Sequence, residues 1–331
     1  MKKALVSTLA LAALVAIALV AGRAAAAPAA TQDANLTGTG SSFVFPLVSK
    51  WIPELGKAYG INLTYSPTGS GAGIAAVTAR TVDFGASDAP LSPDQLTACK
   101  GCVVIPWALS ATSIPYNVPG AGGRIHLDGA IKKLNPNLNL PNLKITPVYR
   151  SDSSGTTYNF TEYLSSVSPE FKSKVGNNTA VNFPTGLGAR GSAGVAGVVS
   201  KTEGALTYVD VAYSLNNKLT FASIRNRAGG YALPGLRGIK QAVSVLPKKV
   251  TNLSQLKIVD PPKSAGRQAY PISTFTFVIV PSNTKSAGDV RKLVYWAVTQ
   301  GQKFGPPLLF QPLPVTVQAF AYREIKKIQG V

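Results

Sequence analysis

The sequence predicts an α/β protein of two lobes. Three observations carry that expectation: short β-type runs alternate with helix-type runs, glycine- and serine-rich turns separate them, and the chain has 331 residues, enough for two cores. Helical stripes and strand alternation mark the individual elements. Ala34 to Thr37 reads as a strand and Gly38 to Ser42 as a turn. Pro46 to Tyr59 reads as a helix with Leu47, Trp51, Leu55 and Tyr59 on one stripe, and Pro53 is expected to bend it or shift its start. Ile61 to Tyr65 is the next strand, followed by a short helix around Gly73 to Ala79 and a strand from Val82 to Gly85. A helix is expected from Ser92, with Asp94 in its first turn. Later strands are expected at Val103 to Ile105, Ile145 to Tyr149, Leu206 to Val209 and Phe275 to Val280. Later helices are expected at Thr157 to Leu164, Leu236 to Val245, Asp289 to Thr299 and Val315 to Ile328.

The amino terminus has the order of an export signal. Lys2 and Lys3 precede an apolar run from Ala4 to Ala21, and Ala24 to Ala27 supply small residues for cleavage. The cut is expected near Ala26, making residues 1–26 a signal peptide. The competing reading is an uncleaved anchor. No cysteine lies near the cut to take a lipid. About 305 residues then remain, and the loss of Lys2, Lys3 and Arg23 brings the net charge from +19 to about +16. Such a field attracts anions. The basic residues are scattered and form no nucleic-acid motif.

Cys99 and Cys102 are the only cysteines. Two thiols are too few for a cysteine zinc site; in a cytosolic chain they would suggest a redox pair, whereas export favours a small structural disulfide closing a turn. His126 is the only histidine and lies outside every serine cluster, which disfavours a Ser–His–Asp hydrolase. Few carboxylates disfavour a two-metal enzyme. No enzyme activity, cofactor or metal is expected.

Three clusters share one chemistry. Ser41-Ser42-Phe43, Gly69-Ser70-Gly71 and Ser153-Ser154-Gly155-Thr156 each follow a strand and lie just before or within a helix start. A helix start offers unpaired N–H groups and the positive end of the dipole; serine and threonine add hydroxyl donors, and glycine allows close approach. Each cluster alone could be an ordinary N-cap. Converging, they could surround a tetrahedral oxyanion. Arg150, ending a strand, has a fork that grips two oxygens, and Asp152 is close enough to orient it.

These motifs resemble the periplasmic phosphate-binding proteins of high-affinity phosphate ABC transport systems. The likeness stands on Leu36-Thr37-Gly38-Thr39-Gly40-Ser41-Ser42-Phe43, Thr81 to Pro90, Arg150 to Thr157, Gly186-Leu187-Gly188-Ala189-Arg190-Gly191, Gly204 to Tyr213, and Tyr270-Pro271-Ile272-Ser273. It implies a type II periplasmic-binding-protein clamp, each lobe a mixed sheet flanked by helices, joined by two crossover hinge strands. Lobe one would comprise residues 33–112 and 273–331, and lobe two residues 113–272. By position, the resemblance implies phosphate contacts from Ser42, Phe43, Ser70, Asp88, Arg150, Ser154, Gly155 and Thr156, with Asp152 behind Arg150. It implies a monomer that delivers inorganic phosphate, monobasic or dibasic, to the membrane permease subunits of an ABC transporter, outside the cytoplasm and without nucleic acid. One departure is a shortened join between Leu127-Asp128-Gly129 and Ala130-Ile131-Lys132. The alternative function is a basic structural or adhesive envelope protein that binds anionic polymer.

Overall fold

The computed structural model describes residues 34–121, 125–127 and 131–331. The signal segment and the shortened join at Gly129–Ala130 lie outside the described residues. Strands β1 (Ala34–Gly40), β2 (Ile61–Ser66), β3 (Phe84–Ser87) and β4 (Cys102–Ser113) come first, then β5 (Pro115–Tyr116), β6 (His126–Leu127) and β7 (Thr146–Arg150). They are followed by β8 (Leu187–Ala189), β9 (Ala205–Thr207), β10 (Val209–Asp210), β11 (Thr220–Phe221), β12 (Ser223–Arg225), β13 (Tyr231–Ala232) and β14 (Ser273–Pro281). One lobe holds a six-stranded sheet of order β10-β4-β14-β3-β1-β2, and the other a five-stranded sheet of order β11-β5-β9-β7-β8. Both mix parallel and antiparallel pairs. The chain leaves the first sheet between β4 and β5 and returns to it between β9 and β10. Val209–Asp210 therefore pairs with β4, in the sheet otherwise built from the chain's two ends.

Helices cover the sheets as the apolar stripes dictate. The helix Phe45–Tyr59 buries Leu47, Trp51 and Leu55 and runs through Pro53. The start is not shifted, and the helix continues past Pro53, which sits on the exposed face, where solvent can satisfy the carbonyl that its missing N–H would have bonded. Trp51 packs edge-on against Trp107 and Trp296, and Trp107 against Phe84. Burying such rings contributes about 25 cal/mol per Å² of apolar surface, so this cluster anchors the larger core.

Two segments differ from the sequence expectation. Gly38 to Gly40, expected as a turn, continues β1 and pairs with Phe84 to Ala86. A side chain on Gly38 would enter the Phe84 ring. Gly40 has φ +130° and faces the Ala86 carbonyl, so glycine here permits packing rather than ending the strand. β4 is twelve residues long instead of three. Its register with β14 slips at Trp107, so Thr276 faces Ala108 while Phe277 faces Pro106. Beyond the slip, two serines are paired, Ser110 Oγ donating to Asp210 Oδ2 at 2.8 Å and Ser113 Oγ to Val209 O at 2.9 Å, while the buried Thr112 hydroxyl has no partner among the described residues.

Cys99 and Cys102 form the expected disulfide after the helix Pro93–Ala98. That helix is capped by Ser92, whose hydroxyl accepts the Gln95 N–H while Gln95 accepts the Ser92 N–H.

Candidate functional site

The turns after β1, β2, β3 and β7 meet between the two sheets. Ser42, Phe43, Ser70, Asp88, Arg150, Ser154, Gly155 and Thr156 are all buried, and Asp152 is half-buried beside them. Direct contacts join the clusters: Gly155 N–H donates to Ser70 Oγ at 3.0 Å, and Ser70 Oγ also accepts the Asp88 N–H at 3.2 Å. A methyl on Gly155 would come within 2.6 Å of Ser70 Oγ and 2.7 Å of the Asp88 backbone, so the approach of the two lobes requires glycine there.

Local chain geometry aims donors inward. Tyr65 OH donates to the Ser41 carbonyl and Tyr213 OH to the Ser42 carbonyl, each at 2.8 Å. A trans peptide sets C=O and N–H on opposite sides, so the amides of Ser42 and Phe43 point away from those tyrosines. Neither amide has a hydrogen-bond partner among the described residues. Ser154 caps the helix Gly155–Val167 by accepting the Thr157 N–H at 3.2 Å, which leaves its own proton to donate. The Thr156 hydroxyl is buried with no partner among the described residues. A buried hydroxyl without a partner costs about 1–3 kcal/mol, which an oxyanion at this place would remove.

The charged groups are fixed by their neighbours. The Arg150 guanidinium grips Asp152 through Nε, at 2.7 Å from Oδ1, and through Nη2 to Oδ2. Its side chain is 2% exposed, so it is no surface ion pair. Burial pushes the Asp152 carboxyl up, but the hydrogen bond and charge of Arg150 and the Gly191 N–H bring it below the usual carboxylate range. Arg150 Nη1 is left with only a 3.4 Å contact to Ser192 Oγ.

Asp88 has the opposite balance. Burial dominates and pushes its carboxyl up to about 6, against the lowering effects of Ser41, Thr276, Arg150 and Ser70. Oδ1 accepts from Ser41 Oγ at 2.5 Å and Thr276 Oγ1 at 2.9 Å, whereas Oδ2 has only a 3.4 Å contact with Ser70 Oγ. Oδ2 is therefore the acceptor with spare capacity. Asp88 does not cap the following helix; Ser92 does.

Four supporting residues escaped the sequence reading: Thr276, Ser192, Asn159 and Tyr213. Asn159 Nδ2 donates to the Asp88 carbonyl at 2.9 Å and to the Gly155 carbonyl at 3.0 Å. Ser192 follows directly on the Gly186-to-Gly191 motif, the one local signal that could have found it. A cavity of about 600 Å³ reaches the cage at Ser42 and Ser192, and one of about 350 Å³ reaches it at Asp88. No helix among the described residues is long and apolar enough to cross a membrane.

Chemically, the arrangement is a buried nest of N–H and O–H donors with one fixed guanidinium and one carboxylate acceptor, suited to an oxyanion that carries a proton. A family model described as a PBP superfamily domain matches residues 25–300. The chain is 35% identical over 305 residues to phosphate-binding protein PstS of Xylella fastidiosa (strain Temecula1), covering 86% of this chain and 83% of that protein. It is 32% identical over 326 residues to phosphate-binding protein PstS of Pasteurella multocida (strain Pm70), covering 91% and 93%. Among solved structures, a high affinity periplasmic phosphate-binding protein bound with phosphate superposes with a TM-score of 0.67 at 19% identity, over 87% of this chain and 93% of that one. The ancestral soluble variant of the human phosphate binding protein gives 0.68 at 20% identity, over 88% and 93%. These last two likenesses speak for the two-lobed fold, and the sequence relatives for the lineage: the chain belongs to the PBP superfamily and, within it, to the family of the phosphate-binding protein PstS.

Proposed function

We propose that this protein captures inorganic phosphate between its lobes, outside the cytoplasmic membrane, and delivers it to the permease subunits of an ABC transporter. The observation that carries the reading is the pairing of a donor-lined cage with the single spare acceptor Asp88 Oδ2. Ser42, Phe43, Ser70, Ser154 and Thr156 donate to phosphate oxygens, the Gly155 N–H joins them by turning from Ser70 Oγ to the anion, and Arg150 adds a charge-assisted bond through the N–H groups that Asp152 leaves free. Asp88 accepts the P–OH proton. Helix starts at Phe45, Ser70 and Gly155 add the positive ends of their dipoles. The lobes, proposed as residues 33–112 with 273–331 and 113–272, close over the anion, exclude water and strengthen each contact.

Calorimetry on the purified protein tests this. Phosphate is expected to bind one to one at micromolar concentration or tighter, a net of about 8 kcal/mol or more. Sulfate is expected to bind far more weakly. Saturating phosphate without heat or stoichiometric uptake overturns the reading.

Export follows from the same proposal, with a cut near Ala26. The PBP-superfamily match begins at residue 25, next to that position. Intact-mass measurement of the exported protein is expected to show a product lacking Lys2, Lys3 and the apolar run. A product that retains Lys2 and Lys3 counts against it.

A further inference from the structure

We propose that Ser192 is a latch between the lobes, a positioning residue that slows escape of the bound anion. The proposal rests on the phosphate reading above. Ser192 is wholly buried in the first turn of the helix Gly191–Lys201, which packs against β7, β8 and β9 of the five-stranded sheet. Its Oγ lies 2.8 Å from Ser42 Oγ, and its N–H donates to the same oxygen at 3.2 Å. Ser42 follows β1 in the other sheet. One serine pair, 150 residues apart in sequence, is thus bonded twice across the cleft.

The latch is coupled to the anion through Arg150. Asp152 Oδ1, which holds Arg150, also accepts the Gly191 N–H at 3.0 Å. Gly191 has φ +72°, a left-handed conformation that lets the chain turn after Arg190 and present this N–H. Arg150 Nη1 in turn donates toward Ser192 Oγ. A hydrogen-bonded chain results, from Arg150 through Ser192 Oγ to Ser42 Oγ, in which either serine can donate across the cleft; the arrangement with Ser192 as donor leaves the Ser42 proton for the anion. Fixing Arg150 on the anion therefore also fixes the helix start that carries Ser192. The bond across the cleft exists only while the lobes are together, so it acts on release rather than on encounter.

Stopped-flow binding and release of inorganic phosphate, read on a fluorophore attached outside the cleft, separates the two rates. Ser192→Ala is expected to raise the release rate about fivefold to tenfold, the size of one net hydrogen bond, with the association rate changed less than about twofold. In a double-mutant cycle with Ser42→Ala, the two losses are expected to add to less than their sum. Ser192→Cys, which keeps the size and weakens the bond, is read in the same way and serves if the alanine variant does not fold. A release rate unchanged in Ser192→Ala, beside a wild type that binds phosphate, overturns the latch and leaves the phosphate reading standing. So does a loss confined to association. A wild type that holds no phosphate overturns both.

Discussion

Asp88→Asn is expected to lower the phosphate-to-sulfate affinity ratio by about tenfold or more. Dibasic phosphate keeps one P–OH to donate, and sulfate has none. An ionised carboxylate can only accept. Phosphate therefore completes Asp88 Oδ2, while sulfate sets oxygen against it in a closed, dry cleft. Leaving that charged acceptor unpaired costs about 1–3 kcal/mol, and more as screening falls. Asparagine keeps the size, removes the charge and offers an N–H to sulfate. Competition titrations of both anions at fixed pH and ionic strength measure the ratio, and an equal ratio in the two proteins removes Asp88 as the discriminator. The pH dependence has a definite sign. Burial raises the Asp88 carboxyl from 3.8 to about 6. Ionised Asp88 therefore costs the folded, ligand-free protein nothing below about pH 4 and its full penalty above about pH 6. Asp88→Asn is expected to gain stability over wild type as pH rises through this window, by up to about 3 kcal/mol. Sulfate, which does not titrate there, is expected to bind wild type better as pH falls through about 6 and to bind the asparagine variant with no such slope.

Arg150→Lys is expected to weaken phosphate binding by at least about tenfold, or 1.4 kcal/mol. The charge survives but the fork does not. Arg150 uses Nε and Nη2 on the two oxygens of Asp152 and keeps N–H groups for the anion. A lysine ammonium at the end of a flexible stem cannot hold both oxygens and face the ligand in a fixed plane. Asp152 would also lose part of what keeps it ionised while half-buried, and with it a firm anchor for the Gly191 N–H. Calorimetry at constant ionic strength reads the effect, and unchanged affinity removes Arg150 from the site.

Local and periodic features are legible in the chain before it folds. The stripe of Leu47, Trp51 and Leu55 is the buried face of its helix, and Leu63 and Tyr65 are the buried side of β2, because side-chain direction follows backbone period. The serine–glycine clusters were legible because a helix start and its capping residues are neighbours in sequence. Arg150 and Asp152 were legible for the same reason, being two residues apart. Tertiary structure decided the rest. Thr276 reaches Asp88 from 188 residues away, and Ser192 reaches Ser42 from 150. Such partners leave no periodic trace, since a threonine in a buried strand and a serine in a first helical turn look ordinary until the lobes meet. Gly38 and Gly40 misled the local reading because glycine marks both turns and close packing, and only the Phe84 ring and the Ala86 carbonyl show which applies. The raised carboxyl of Asp88 is tertiary as well: its main cause is burial, and burial is a property of the assembled chain.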